Sequence, residues 1–435
     1  MNSLTAADVD CSRTAPAVVP ASFPLGADRK CRFCGAPLHH TVVDLGMSPL
    51  CESYLAGHGL DAMEPFYPLH VYVCQECLLV QLPQYVSAES IFSHYAYFSS
   101  YSDSWLRHAK RYTEDMTARL GLGPQHRVVE VASNDGYLLQ YFVAQGIPVL
   151  GIEPAANVAR AAVDKGVPTL VKFFGAETAR ELVAQGATAD LLVANNVLAH
   201  VPELNDFVAG LKILLAPRGV LTIEVPHLLR LIAENQFDTI YHEHFCYFAL
   251  STARRVLAAH GLTVFDVQPL PSHGGSLRLF VRHSEREEPA VTPAVAGIEA
   301  QERVAGLHQV EGYRQFARQV EETRYALVEF LIAARRQGQS VVGYGAPGKG
   351  NTLLNYCGIR EDLLAYTVDR NPFKQGKYLP GTRIPIFAPE KIAETRPDYI
   401  LILPWNLKAE ITAQLAYARQ WGASFVVPIP HLEIC

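Results

Sequence analysis

Hydrophobic and polar positions along this chain fall into two successive α/β alternations. The first has strand-like apolar runs at Arg127–Ser133, Pro148–Glu153, Ala189–Ala194 and Gly219–Val225, separated by stretches with helical spacing. Two more runs, Leu262–Gln268 and Ser276–His283, follow close together with no full crossover helix between them. That order predicts a mostly parallel sheet finished by an antiparallel hairpin. A polar, proline-bearing linker at 284–299 leads to a long helical stretch over roughly 300–337. The second alternation has strands at Ser340–Tyr344, Leu364–Asp369, Asp398–Pro404 and Ser424–Pro428. Ahead of the first, an aromatic, serine-rich segment from about residue 86 runs into an amphipathic helix ending near Gly121. No internal repeat at a solenoid period is present.

The N-terminal part follows a different logic. Cys31-Arg-Phe-Cys34 and Cys74-Gln-Glu-Cys77 are two CxxC knuckles, and each aims two thiolates at one point. Together they predict a four-sulfur Zn²⁺ site with no open position, which holds the fold and performs no chemistry. Strand runs near His40–Asp44 and His70–Val73 lie between them, and no redox-type strand–helix pattern flanks either pair. Cys11, Cys51, Cys246, Cys357 and Cys435 remain as ordinary thiols. The fold class is α/β, with a flexible tail at 1–28, a zinc-binding domain at 29–85, a doubly wound domain at 86–284 and a Rossmann-like domain at 285–435.

Composition narrows the function. A chain of 435 residues with 49% hydrophobic and 18% charged positions has ample core for several domains. Its net charge of −6 offers no footprint for nucleic acid or anionic membrane. The N-terminus lacks a secretory pattern and no apolar run is long enough to span a bilayer, so a cytoplasmic protein is expected.

Two glycine-bearing loops compete as cofactor sites. In the first, Glu130-Val-Ala132-Ser-Asn134-Asp-Gly136 is a strand entering a tight turn, and Glu153 closes the next strand. An acid there takes ribose hydroxyls in doubly wound sheets. Ala132 and Asn134 stand where glycines would admit a pyrophosphate, which argues for a cofactor without one. In the second, Gly343-Tyr-Gly345-Ala-Pro-Gly348-Lys349-Gly350 satisfies GxGxxG, with Asp369 at the end of the next strand. Locally this reads as an NAD site; Gly350 replaces the hydroxyl residue an NTPase needs.

The densest chemistry is Tyr241-His242-Glu243-His244, set between Phe237, Ile240, Phe245 and Tyr247. Imidazole, carboxylate and phenol among apolar neighbours suit a site that moves protons. The bland alternative is a helix N-terminus whose histidines cap or pack.

The string EVASNDGYLL, the four-cysteine site, YHEHF, His273-Gly-Gly-Ser276-Leu-Arg278 and the second α/β unit together resemble the deoxysugar C-methyltransferases over nearly the whole chain. These are class I S-adenosylmethionine enzymes that methylate a carbon of a nucleotide-linked 4-keto-hexose. The resemblance implies that Glu153 binds the cofactor ribose, that Glu130 and the Ala132, Asn134, Gly136 turn approach its amino-acid end, and that Asn195 lies on the floor; Asn196 reads as a strand-end turn. It implies His244 as the base, Glu243 as its orienting partner, and Tyr241, His200 and Tyr95 as hydrogen-bonding groups for an enolate. His242 points away and is structural. His273 and Ser276 close over the sugar. The second glycine loop is reassigned to the substrate's diphosphate, with Lys349 facing it, Asn351 and the Pro404-Trp405-Asn406 strand end as weaker candidates for the same pocket, and Trp405 equally readable as packing. Tyr95–Ser104 reads as a lid over the site or as an aromatic entry helix. Cys246 stands where the family would carry a smaller hydroxyl residue, and it is no nucleophile.

The expected reaction is methyl transfer to C3 first, or C5, of a nucleotide-diphospho 4-keto sugar, dTDP-linked. A monomer is admissible. The competing readings are an NAD-dependent oxidoreductase or epimerase acting at Gly343–Gly348, and a non-enzymatic zinc-ribbon adaptor.

Overall fold

The computed structural model describes residues 29–92 and 98–435. The expected tail and Tyr95 lie outside them. Three strands, β1 (His40–Ser48), β2 (Tyr67–Val73) and β3 (Val80–Gln81), pair antiparallel in that order. Both CxxC turns lie beside this small sheet.

The central sheet contains β4 (Val128–Val131), β5 (Val149–Ile152), β6 (Thr169–Leu170), β7 (Ala189–Asn195) and β8 (Leu215–Pro226). The next strand, β9 (Cys246–Tyr247), leaves this unit and pairs antiparallel with β3, placing Val80 opposite Tyr247 and Gln81 opposite Cys246. β10 (Leu262–Leu270) and β11 (Ser276–His283) complete the central sheet in the order β10-β11-β8-β7-β4-β5-β6. The first five strands are parallel; β11 inserts antiparallel beside β8, and β10 pairs antiparallel at the edge. The predicted hairpin is therefore present, and a chain reversal between β4 and β7 creates the crevice where doubly wound sheets bind ligands.

The C-terminal sheet is β12 (Val341–Tyr344), β13 (Thr367–Val368), β14 (Ile386–Phe387), β15 (Tyr399–Ile402), β16 (Ser424–Val427) and β17 (Glu433–Ile434). Its order is β14-β13-β12-β15-β16-β17, parallel until the last pair. Strands β6, β14 and β17 escaped the sequence reading because two-residue pairs carry no period to detect.

Helix Asp103–Leu120 matches the amphipathic prediction: Ser102 caps it by accepting Trp105 N–H at 3.3 Å, and Gly121 stops it at φ +62°. The single long helix expected over 300–337 is two, Pro293–Val304 and Phe316–Arg336. Gly306 turns at φ +82° and packs so close to Gly312 that a Cβ on Gly312 would stand 2.2 Å from the Gly306 carbonyl oxygen, which breaks the run. No helix among the described residues is long and apolar enough to cross a membrane.

Candidate active site

The four cysteines converge as expected. The sulfurs of Cys31, Cys34, Cys74 and Cys77 all lie within 4.8 Å of one another, with Cys31–Cys77 and Cys34–Cys74 each at 3.5 Å. Thiolates at the corners of a zinc tetrahedron stand roughly 3.8 Å apart, since Zn–S is about 2.3 Å. The donor set therefore fits a closed structural Zn²⁺. Gln81 Nε2 donates to Cys31 Sγ at 3.1 Å, a contact that steadies a thiolate.

At the carboxyl ends of β4, β5 and β7, three backbone positions in one turn, Ala132, Asn134 and Gly136, take φ of +57°, +49° and +74°. The turn thus folds back on itself, and its Asn134 N–H donates to one Glu153 carboxylate oxygen at 3.0 Å, while the other accepts Ala155 N–H, two residues on from Glu153, at 2.9 Å. Asn134 Oδ1 in turn accepts Ser99 N–H at 2.8 Å, tying the segment before Asp103 over the turn. Glu130 is fully buried, and burial pushes its carboxyl well above the usual range; Glu153, Asp135 and Glu224 nearby push it further, against a hydrogen bond from Tyr137. Glu130 Oε2, Asn195 Oδ1 and Asn196 Nδ2 are buried polar atoms with no hydrogen-bond partner among the described residues. Unpaired polar groups and clustered acids at one crevice suit a polar, cationic ligand such as a sulfonium with an amino-acid tail.

The Tyr241–His244 segment is a turn, not a helix start. His244 Nδ1 lies 2.7 Å from the Thr239 carbonyl oxygen. A carbonyl only accepts, so Nδ1 carries the proton and Nε2 presents a lone pair. Burial drives the His244 pKa down to about 4, with the Lys349 charge adding to the fall against the Thr239 bond. Its ring lies 4.1 Å from the Tyr241 ring and 4.6 Å from that of His200, centroid to centroid. His200 bonds the Glu243 backbone, leaving Nδ1 without a partner, and burial and His244 hold it well below its ordinary pKa. Glu243 Oε1 receives the Cys51 thiol at 3.6 Å. His242 turns the opposite way: Nε2 meets the Pro68 carbonyl at 3.2 Å between Tyr67 and Tyr85.

His273 sits in the glycine turn at φ +54°, 5.0 Å from the Trp105 ring, and burial lowers its pKa to about 4. Ser276 is buried and spends its hydroxyl on the Ser272 carbonyl at 3.0 Å, so it is a turn lock and does not face the cleft. Cys246 is buried in β9, where burial pushes its thiol up to about 12, unsuited to nucleophilic work.

The second glycine loop departs from expectation. The N-terminus of helix Gly348–Cys357 is covered by the chain segment after β1: Cys51 Sγ and Glu52 Oε1 lie 2.9 and 3.5 Å from where a Gly348 Cβ would stand. Tyr54 and Lys374 both donate to the Ala346 carbonyl, at 2.6 and 2.9 Å. Glu52 stands beside this helix end and pairs with Lys374 at 3.7 Å. Cys51 and Glu52 thus occupy the space through which a diphosphate would approach these backbone N–H groups. Asp369 is likewise engaged, accepting from Ala346 N–H at 2.7 Å and Asn371 N–H at 2.8 Å. Asn351 is buried and donates to the Cys51 carbonyl at 2.6 Å, fastening the covering segment. Lys349 instead leans out, donating to Asn406 Oδ1 at 2.8 Å and lying 4.7 Å over the Trp405 ring. Trp405 Nε1 donates to Asp238 Oδ2 at 2.8 Å, so it is more than packing.

Sequence reasoning missed three groups. Asp238 preceded the conspicuous cluster and read as context. Glu224 lay in a strand run; Arg278 and His108 hold it at 2.6 and 3.0 Å in a buried triad, keeping its carboxyl below the usual range although burial pushes upward. Trp105 stacks on His108 at 4.8 Å and faces Tyr137 at 5.9 Å, joining the cofactor turn to the His273 turn. A charge inside an apolar strand pattern was the available signal for Glu224.

Three family models match the chain: "Putative zinc binding domain" over residues 31–92, "Methyltransferase domain" over 105–267 and "C-methyltransferase C-terminal domain" over 271–430. C-methyltransferase NovU of Streptomyces niveus is 38% identical over 405 residues, which is 93% of this chain and 96% of that protein. Among solved structures, magnesium protoporphyrin IX methyltransferase from Synechocystis with bound S-adenosylmethionine aligns with 41% of this chain and 82% of its own, at 16% identity and TM-score 0.31. The PH0226 protein of Pyrococcus horikoshii aligns with 45% and 97%, at 14% identity and TM-score 0.36.

Proposed function

The chain belongs to the S-adenosylmethionine-dependent C-methyltransferases built from a zinc-binding, a methyltransferase and a C-terminal domain, and from that premise we propose that it methylates C3 of a nucleotide-linked 4-keto-deoxyhexose through an enolate. The observation that carries this reading is His244: a buried, neutral imidazole whose Nδ1–H is tied to Thr239, leaving Nε2 free as a base.

Carbon is a nucleophile only when a proton leaves it first. A 4-keto group acidifies the neighbouring C–H, so a base of modest strength suffices if the enolate oxygen is met by donors. His244 Nε2 takes that proton; the C–H electron pair becomes the C3–C4 double bond and the carbonyl pair moves to oxygen. Tyr241 flanks the imidazole and serves as the donor; His200, whose single proton goes to the Glu243 carbonyl, presents only an acceptor at Nδ1 and packs on His244 instead, while Glu243, gripped by Cys51, shapes the loop. The cofactor supplies an electrophilic methyl group. Glu153, the Ala132–Gly136 turn, Glu130 and Asn195 would hold it, a reading supported by the turn's bond to Glu153 and the unpaired Glu130 and Asn195 oxygens. The substrate enters where the central and C-terminal domains meet, near His273 and Trp405, and is a small sugar nucleotide of the cytoplasm, dTDP-linked.

The test is incubation with a panel of 4-keto sugar nucleotides in D₂O, following deuterium uptake and methyl addition by mass spectrometry. Deuterium is expected at the carbon beside the ketone, and His244→Asn is expected to abolish its uptake. Methylation that proceeds without that exchange dependence, or methyl found on oxygen, would refute the mechanism.

A further inference from the structure

The helix end after β12 is covered by Cys51 and Glu52, and the cation beside it turns elsewhere. Lys349 occupies the second position of helix Gly348–Cys357, yet its ammonium does not serve that helix end. It lies over the Trp405 ring, an arrangement favourable by cation–π attraction, and gives one N–H to Asn406. No acceptor within hydrogen-bonding reach among the described residues takes its other protons.

What Lys349 leans toward follows from its neighbours. The Trp405 indole N–H is fixed on Asp238, a fully buried carboxylate whose second oxygen has no hydrogen-bond partner among the described residues. Asp238 precedes Thr239, the residue whose carbonyl sets the His244 tautomer. At the other end of the ring, Trp405 Cη2 lies 2.6 Å from where a Gly274 Cβ would stand, so the indole reaches under the His273-Gly274-Gly275 turn. Thr352, one turn along the same helix, donates to the Ile240 carbonyl at 3.0 Å. The helix bearing Lys349 is thereby bolted to the loop bearing His244. Lys349 over Trp405, Trp405 on Asp238 and under Gly274, and Thr352 on Ile240 bring the ammonium, the His273 turn and the His244 loop to one junction.

We propose that Lys349 is a catalytic residue whose ammonium meets the enolate oxygen generated by His244, with Trp405, Asn406 and Asp238 as its positioning residues. This rests on the enolate reading above. A cation here has two consequences. In the resting enzyme it disfavours a charged imidazole, so the base stays free. As the proton leaves carbon, negative charge builds on the sugar's O4, and the ammonium interaction strengthens only then; an interaction realised in the transition state lowers the barrier without tightening the ground state. The electrons balance within the substrate: the C3–H bond breaks toward Nε2, the C3–C4 double bond forms, and O4 takes the carbonyl π pair.

The experiment separates this role from that of a diphosphate ligand. For wild type, Lys349→Met, Lys349→Arg and Trp405→Phe, two quantities are measured: affinity for thymidine diphosphate by calorimetry, and solvent deuterium uptake into saturating 4-keto sugar nucleotide with S-adenosylhomocysteine present. Lys349→Met is expected to keep thymidine diphosphate affinity within about twofold and to lose about 100-fold or more in exchange, the scale of one oxyanion donor. Lys349→Arg should recover part of it. Trp405→Phe keeps the ring but frees Asp238, and should lose exchange to a lesser degree at unchanged affinity; it decides the matter if the methionine variant does not fold. Exchange at the wild-type rate in the methionine variant overturns the proposal alone, as does a tenfold loss of thymidine diphosphate affinity. Absence of exchange in the wild type overturns the enolate reading and this proposal with it.

Discussion

A buried base should titrate where burial puts it. Within the enolate mechanism His244 acts only when neutral, so its contribution is present above its pKa and lost as pH falls through it. An ordinary imidazole at 6.5 would lose roughly tenfold in neutral fraction between pH 7.5 and 5.5. With a pKa of about 4, His244 stays roughly 97% neutral at pH 5.5. The assay is kcat/KM for deuterium exchange, which reports the free enzyme, over pH 5.5–7.5, with zinc content checked at the acid end. Wild type should be flat to within a factor of about two. His244→Asn, with no lone pair on a basic nitrogen, should fall about 10²- to 10⁴-fold at every pH. Its affinity for S-adenosylhomocysteine should be unchanged, because Glu130 and Glu153 lie elsewhere. A tenfold acid loss centred near pH 6.5, or an asparagine variant retaining more than a tenth of the exchange, would refute the reasoning.

Three other outcomes are expected. Zinc removal by a strong chelator, or Cys74→Ser, should release one Zn²⁺ per chain by elemental analysis and abolish methyl transfer together with the N-terminal fold seen by circular dichroism, since closed four-sulfur sites contribute folding energy outright. Glu153→Ala strips the acceptor from two loop N–H groups at 3.0 and 2.9 Å; at about 1.5–3 kcal/mol per charged hydrogen bond, calorimetry should show S-adenosylhomocysteine affinity down at least tenfold, and an unchanged affinity would remove Glu153 from the cofactor site. Arg278→Leu leaves the fully buried Glu224 with His108 alone and should cost about 3–5 kcal/mol in urea unfolding, whereas a loss below about 1 kcal/mol would mean that the triad is not a coupled unit.

How far the sequence could be read depends on the range over which each feature is encoded. Ser276–His283 was legible to the residue because an apolar-rich run of eight, seven of them buried, pairs with a neighbour on each side, and the CxxC knuckles were legible because metal ligation fixes their local spacing. β9 was not: two residues, Cys246 and Tyr247, become a strand only because Val80 and Gln81 are there to receive them. The same holds for Glu52. Nothing local marks it as part of the cover over a helix end almost three hundred residues on, so Gly343–Gly348 kept the pattern of a phosphate loop while the fold covered it. Lys349 then changes meaning although its motif does not.

That non-local wiring explains why a zinc site without an open position belongs in a methyltransferase at all. Arg32, inside the first knuckle, donates to the Pro202 carbonyl at 2.8 Å and to the Leu82 carbonyl at 2.6 Å, with its guanidinium 5.3 Å from the Phe245 ring centroid. Asn205 returns the contact, donating to the Phe33 carbonyl at 2.9 Å. Phe245 N–H meets the Ala199 carbonyl at 2.7 Å, and the Phe245 carbonyl accepts Leu82 N–H at 3.0 Å. Ala199 and Phe245 are the chain neighbours of His200 and His244. Two imidazoles on separate loops, 4.6 Å apart, are thus registered by backbone bonds that converge on the metal-bound turn. A short linker could join these loops but could not fix their rings to the fraction of an ångström that proton transfer from carbon requires. Four thiolates on one ion make the knuckle rigid, and the knuckle passes that rigidity to the proposed base.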